Sequence, residues 1–209
     1  MAEKIQASAQ ISAIVVAGGR GSRMGRSKAM LDFGGEPMLA RIVTHLRRHI
    51  DDVVIVAAPE SIENLRIEAP VVRIIRDEIA FQGPADALRR GLKEVGSEIA
   101  FACSCDLPLL NADVAIALAA MLENFDAVIP EIGGRIQPLH AVYRTRCADA
   151  LEAIAARGEK RLVAVADAVN ARVVGERELR TIDPELRSFF NVNTPDDYAR
   201  ALRMAGFTG

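Results

Sequence analysis

Cysteine is scarce, and no apolar run is long. Cys103, Cys105 and Cys147 are thinly spread through 209 residues, and three is an odd number. That pattern argues for reduced thiols rather than a disulfide framework, and so for a cytoplasmic protein. No stretch approaches the ~20 apolar residues of a membrane span. The opening MAEKIQASAQ has no apolar h-region, which speaks against a signal peptide. Basic residues are not in excess: 26 Lys and Arg face 28 Asp and Glu, for a net charge of −2. A general nucleic-acid binder would carry a basic surplus. Internal repeats, low-complexity tracts and an interdomain linker are also missing.

What is present fits a soluble globular chain, 50% apolar and 26% charged. A chain of this length buries roughly 70% of its unfolded surface, so it needs no metal or disulfide staple. The expectation is one domain over residues 11–209, preceded by a loose tail at 1–10.

Short, non-alternating runs rich in Val and Ile occur at Ile11–Ala17, Val53–Ala57, Val71–Ile75, Ile99–Cys103 and Ala127–Ile129. Such runs suit strands buried on both faces of a mostly parallel sheet. Helical spacing of apolar residues separates them, at Pro37–His49, Pro84–Val95, Asp113–Leu122 and Thr145–Ala156. Near the C-terminus, Thr194 suits an N-cap and Pro195 the first helical position after it. Strand–helix alternation predicts an α/β fold, a three-layer sandwich around a mostly parallel central sheet. The GGR turn within Ile132–Arg144 interrupts the rhythm and predicts a hairpin or an antiparallel strand.

The chemistry starts at IVVAGGRGSRMGRSK, residues 14–28. Between Gly18 and Lys28, four glycines and four cations fall within eleven residues, directly after a strand. Glycines permit positive φ and close approach of the backbone to a ligand. Successive N–H groups can form a nest for phosphate oxygens. Two familiar phosphate motifs do not fit. Lys28 follows Gly25 by three residues and precedes alanine, so there is no Walker A loop. Gly25 comes one residue too late after Gly21 for the dinucleotide fingerprint.

A second constellation, IAFACSCDLPLL at residues 99–110, is an apolar run ending near a single carboxylate, Asp106. Ligands of open α/β sheets bind beyond the carboxyl ends of the strands. An aspartate there, beside a phosphate loop, suits Mg²⁺. Cys103 and Cys105 read as packing thiols, because C-x-C without a second cluster is a weak metal signal. His45 and His49 stand four apart on a helix, but no acidic residue lies between them as in H-E-x-x-H, so they read as surface or edge histidines.

VAGGRGSRMGRSKAML resembles the signature loop of nucleotidyltransferases that include sugar-phosphate nucleotidylyltransferases and the MobA-type molybdenum cofactor guanylyltransferases. Ala17, Gly18, Gly19, Arg23, Met24, Gly25 and Lys28 fall on the family pattern. The resemblance extends from Ile11 to about Leu202 and implies a Rossmann-like nucleotidyltransferase fold. It implies that Ala17, Gly18, Gly19 and Gly21 cradle a triphosphate, and that Arg23 and Lys28 stabilise charge on the α-phosphate and pyrophosphate. It implies that Asp106 holds Mg²⁺ against the nucleotide phosphates. Asp77, in RDEIAFQGPADAL, occupies the place of a nucleotide-contacting aspartate. There the family's GPLAG reads Gly83-Pro84-Ala85-Asp86-Ala87. Asn191 and Asn193, in FFNVNTPDDYARAL, correspond to residues facing the acceptor or the metal. Arg135, in RIQPLHAVYR, corresponds to the acceptor pocket, with Gln137 where a histidine is frequent.

The substrates the resemblance implies are GTP and molybdopterin bearing molybdenum, with transient contacts to cofactor-insertion proteins or target molybdoenzymes. Two alternatives remain open on the sequence. One is another small nucleotidyltransferase, such as a molybdopterin cytidylyltransferase or a sugar-phosphate nucleotidylyltransferase. The other is a module that binds nucleotide or molybdopterin without turnover.

Overall fold

A computed structural model describes residues 11–18, 27–58, 72–76, 83–159 and 161–207. The expected tail at 1–10, the loop residues Gly19, Gly21, Arg23, Met24 and Gly25, and Asp77 lie outside the described residues. The elements follow in the order β1 (Ile11–Ala17), α1 (Met38–Leu46), β2 (Val53–Ala57), β3 (Val72–Arg76), α2 (Pro84–Glu94), β4 (Ile99–Ser104) and α3 (Ala112–Ala120). They continue with β5 (Ala127–Ile132), β6 (Arg135–Ile136), β7 (His140–Arg144), α4 (Cys147–Ala156), α5 (Val165–Ala168), β8 (Ala171–Val174), α6 (Glu176–Leu179) and α7 (Pro195–Met204).

All seven residues of β1 are buried, because the strand is covered on both faces and paired on both edges. It runs parallel to β2 on one side and to β4 on the other. β3 extends the parallel set beyond β2. The order across the sheet is β3-β2-β1-β4-β7-β5-β6, with β8 alongside β5. β7 is antiparallel to both β4 and β5, so β5 runs in the same sense as β1 and β4. The expected irregularity at Ile132–Arg144 is a β5–β6 hairpin followed by this antiparallel strand. Its turn uses Gly133 and Gly134 at φ +57° and +70°, where a side chain would be strained.

Alternation along β1 divides the core in two. Ala13, Val15 and Ala17 pack with Leu39, Ile42 and Leu46 of α1 and with Val114 and Leu118 of α3. Ile14 and Val16 point the other way, toward Leu88 and Leu92 of α2 and Leu151 of α4. The result is the expected three-layer sandwich. Gly91 lets α2 sit directly on β1, since a Cβ there would stand 2.5 Å from Cγ2 of Ile14.

A third cluster lies outside the sandwich. Phe33, Met38, Val192 and Ala201 pack with Tyr198 and Phe207, laying α7 and the chain's end against the segment that follows Lys28.

Candidate active site

Parallel pairing brings the carboxyl ends of β1 and β4 side by side, with Val16 opposite Ser104. Each strand then delivers one candidate segment. β1 ends at Ala17 and continues through Gly18 into the glycine- and arginine-rich loop. Beyond the loop, a short 3-10 helix over Lys28–Met30 returns the chain to the sheet. β4 ends at Ser104, and Asp106 follows two residues later. The Cys105 N–H donates to the Val16 carbonyl at 3.1 Å, so the Asp106 segment is fastened to β1.

The third segment comes from the C-terminus. The Val192 N–H donates to the Asp106 carbonyl at 2.9 Å. Asn193 follows immediately, and its position is set by the start of α7. Thr194 caps that helix through a reciprocal pair: its hydroxyl accepts from the Asp197 N–H at 3.1 Å, and the Asp197 carboxylate accepts from the Thr194 N–H at 3.0 Å. The same carboxylate accepts from the Asn193 N–H at 3.2 Å. Hydrogen bonding, first from the Thr194 side chain and then from these amides, lowers the Asp197 pKa.

The segments meet at Lys28. Its ammonium donates to Oδ2 of Asp106 at 3.1 Å and to Oδ1 of Asn193 at 2.7 Å. The Lys28 and Asp106 side chains are 24% and 15% exposed, so the pair is partly buried. The other carboxylate oxygen of Asp106, Oδ1, is buried with no hydrogen-bond partner among the described residues. A buried anionic oxygen without a donor is costly unless a cation meets it. That is the donor chemistry a hard divalent ion requires, so Asp106 fits Mg²⁺. Among the described residues no group of three or more His, Cys, Asp or Glu side chains forms a metal site.

The remaining sequence candidates divide. Gly18 faces open space: no atom of the described residues stands within 4 Å of the position a Cβ would take. The Asn191 Nδ2 is turned back to the Phe189 carbonyl at 3.2 Å. Arg135 is exposed on β6, and no hydrogen bond or ion pair among the described residues links it to Lys28 or Asp106. It nevertheless sits at the sheet's carboxyl edge, because β5 runs in the same sense as β4. The Ser104 N–H donates to the Leu139 carbonyl at 3.2 Å, drawing the segment between β6 and β7 against the end of β4.

Cys103 and Cys105 are buried, as packing thiols should be. Burial raises the Cys105 thiol to about 12, so no thiolate forms near neutral pH. His45 lies on α1, but the helix ends at Leu46 and His49 falls in the turn beyond it, so the two do not share a helix face as the sequence suggests: Nδ1 of His45 is 3.0 Å from the Leu110 carbonyl oxygen, and Nε2 of His49 is 3.1 Å from Asp113. One buried histidine had no signal in the sequence. His140 is enclosed between Phe101 and Phe189, and burial lowers its pKa to about 3.

A mostly parallel sheet with a lysine, an aspartate and an asparagine converging at its carboxyl edge, in a chain whose first strand leads in sequence into a glycine- and arginine-rich segment, has the architecture of a nucleotidyltransferase. Residues 13–173 match the MobA-like NTP transferase domain, and the chain belongs to that family. A probable molybdenum cofactor guanylyltransferase from Methanosarcina mazei is 35% identical over 195 residues, spanning 89% of this chain and 87% of the relative. A molybdenum cofactor guanylyltransferase from Desulfosudis oleivorans is 32% identical over 193 residues, spanning 91% and 94%. Among solved structures, molybdopterin-guanine dinucleotide biosynthesis protein A from Archaeoglobus fulgidus superposes with a TM-score of 0.80 at 26% identity, over 93% of this chain and 98% of that one.

Proposed function

We propose that this protein transfers GMP from GTP to the phosphate of molybdenum-bearing molybdopterin, forming molybdopterin guanine dinucleotide. An oxygen of the acceptor phosphate forms a bond to the α-phosphorus. The bond from that phosphorus to the α–β bridging oxygen breaks, and pyrophosphate leaves with the electron pair. The family match and the guanylyltransferase relatives support this reading. The observation that carries it in the structure is the convergence of Lys28, Asp106 and Asn193, from three distant parts of the chain, on one point at the carboxyl edge.

The reaction requires positioning and neutralised charge more than a protein nucleophile. In this reading the backbone at Ala17, Gly18, Gly19 and Gly21 cradles the triphosphate, and Asp77 contacts the nucleotide. Arg23 and Lys28 stabilise the charge that develops on the α-phosphate and on pyrophosphate. The Asp106 carboxylate holds Mg²⁺, which when bound polarises phosphoryl oxygens and neutralises the leaving group. The lysine has a double use: its ammonium keeps the Asp106 and Asn193 oxygens together, and it is mobile enough on its four-carbon stem to turn toward phosphate. Asn191, Asn193 and Arg135 orient the acceptor, Arg135 with a fork suited to a phosphate group.

We place the protein in the cytoplasm, where GTP is available and Cys103, Cys105 and Cys147 stay reduced. Among the described residues no helix is long and apolar enough to cross a membrane. The test is pyrophosphate release by the purified protein with Mg²⁺, GTP and molybdenum-loaded molybdopterin. Release that depends on both substrates and on Mg²⁺ supports the reading. Tight binding of both without release would make the protein a carrier instead.

A further inference from the structure

Lys28 and Asp106 lie 78 positions apart in sequence, yet their side chains must keep a fixed separation. Strand pairing places the ends of β1 and β4, and the Cys105–Val16 bond ties the start of the Asp106 segment to β1, but Lys28 and Asp106 both stand beyond the strands themselves. One side chain bridges the two segments. Arg41, in the first turn of α1, donates from Nε to the Pro108 carbonyl at 3.1 Å. Pro108 is two residues after Asp106. The guanidinium carbon of Arg41 also lies 5.3 Å from the ring centroid of Phe33 and 5.3 Å from that of Phe207. Phe33 is five residues after Lys28, and Phe207 lies three residues past α7.

The connection to Lys28 is short and stiff. The Leu31 N–H donates to the Lys28 carbonyl at 3.2 Å, and the Met38 N–H donates to Leu31 at 2.8 Å. The Phe33 N–H donates to the Glu36 carbonyl at 2.7 Å, closing the loop between them. Phe207 meets Phe33 edge-on at 5.6 Å and brings its ring tip against Gly34, where a Cβ would come within 2.3 Å of Cζ. Glu36 offers Arg41 a partner at 3.6 Å and limits the cost of its partial burial. The Arg41 side chain is only 18% exposed.

We infer that Arg41 is a positioning residue that fixes the Asp106 segment relative to the Lys28 segment and thereby shapes the metal–phosphate site. This inference rests on the assignment of Asp106 as the metal-holding residue. The guanidinium suits the task because its Nε donates to a carbonyl while its charge lies over two aromatic rings. A lysine in its place carries its three donors on one compact point charge and lacks the planar fork, so it does not reproduce the carbonyl bond and the ring contacts in the same geometry. Phe207 makes the segment that follows α7 part of the same brace.

The test is the gain in GTP affinity that Mg²⁺ confers, read by calorimetry with and without Mg²⁺ and with no acceptor present. Wild type, Arg41→Met, Arg41→Lys and Asp106→Asn are compared. A purely structural role would lower the fraction of protein able to bind, not the gain per competent site. The expected result is that both Arg41 variants lose most of the Mg²⁺-dependent gain, on the order of 10-fold by analogy with groups that support metal ligands. Their GTP affinity without Mg²⁺ should stay close to that of wild type. If Arg41→Met does not fold, Arg41→Lys decides. A wild-type gain in folded Arg41→Lys overturns the inference. A wild-type gain in Asp106→Asn overturns the metal assignment instead, which separates the two failures.

Discussion

The ammonium of Lys28 lies 3.1 Å from one oxygen of the Asp106 carboxylate, while the other oxygen is buried without a donor among the described residues. The chain thus supplies a cation to one oxygen of the carboxylate and no donor among the described residues to the other, which is the basis for proposing that Asp106 holds Mg²⁺. Removing the charge of Asp106 should separate metal chemistry from folding. Asp106→Asn keeps the shape of the side chain and the backbone bond from Val192. The expected outcome is an intact fold and loss of most Mg²⁺-dependent turnover, since a charged metal ligand supplies several kcal/mol of transition-state stabilisation. Turnover near wild type in the folded variant would sink the assignment.

Lys28 should matter to rate far more than to stability. Its ammonium reaches solvent and its partners are polar, so the pair adds little to folding. Lys28→Ala is expected to lower kcat/KM by roughly 10²-fold or more, the scale for one electrostatic donor in a preorganised site. The melting temperature should move by a few degrees at most. A variant that melts early while its folded fraction remains fully active would make Lys28 a structural residue.

His140 should set part of the acid limb of stability. Burial holds its folded pKa at about 3, below the ordinary 6.5. Its Nε2 lies 3.2 Å from the Ser188 hydroxyl, which already accepts from the Asn111 N–H at 2.9 Å. The Nδ1 on the other side of the ring is buried with no hydrogen-bond partner among the described residues. Between pH 6.5 and 3 the unfolded chain binds a proton here that the folded chain refuses. Stability therefore falls as pH drops through that window, with a slope approaching about 1.4 kcal/mol per pH unit for one proton. His140→Phe keeps a ring between Phe101 and Phe189 and removes the titration. Urea midpoints measured from pH 7 to pH 5 should decline less steeply in the variant; equal slopes would refute this account.

The central strands were legible because burial on both faces leaves a run of Val, Ile and Ala that little else explains. β1 and β2 begin and end where the sequence places them. β8 was not legible: it has four residues, and its Val173 is 48% exposed, so no apolar run marks it. Asp106 could be suspected from its place after a strand, and Lys28 from its loop. Their meeting with Asn193, across 165 positions, depends on the sheet and on the Thr194–Asp197 cap of α7. Nothing in the sequence marks Arg41, because each of its partners is fixed by a different tertiary contact.

The base should be guanine. Gly18 sits where β1 gives way to the phosphate loop, and no described atom lies within 4 Å of where its Cβ would stand. Packing against those residues does not require the glycine, and in the proposed reaction the missing Cβ gives the ligand room to approach the backbone. In the resembled families the guanylyltransferases share the Ala-Gly-Gly strand exit seen at Ala17–Gly19, whereas cytidylyltransferases usually show Ala-Ala-Gly. Guanine presents the O6 acceptor and the N1–H and N2–H donors in one row. A site built to pair that row leaves buried groups unpaired with cytosine, and such mismatches discriminate by as much as ~10⁴-fold. Steady-state kcat/KM with a single acceptor is expected to favour GTP well ahead of CTP and ATP. Gly18→Ala should lower kcat/KM for GTP while leaving the melting temperature unchanged, because the added methyl meets the ligand and not the described protein. Preference for CTP would place the chain among cytidylyltransferases and leave nucleotidyl transfer standing. Wild-type kinetics in Gly18→Ala would show that the ligand does not approach at this point.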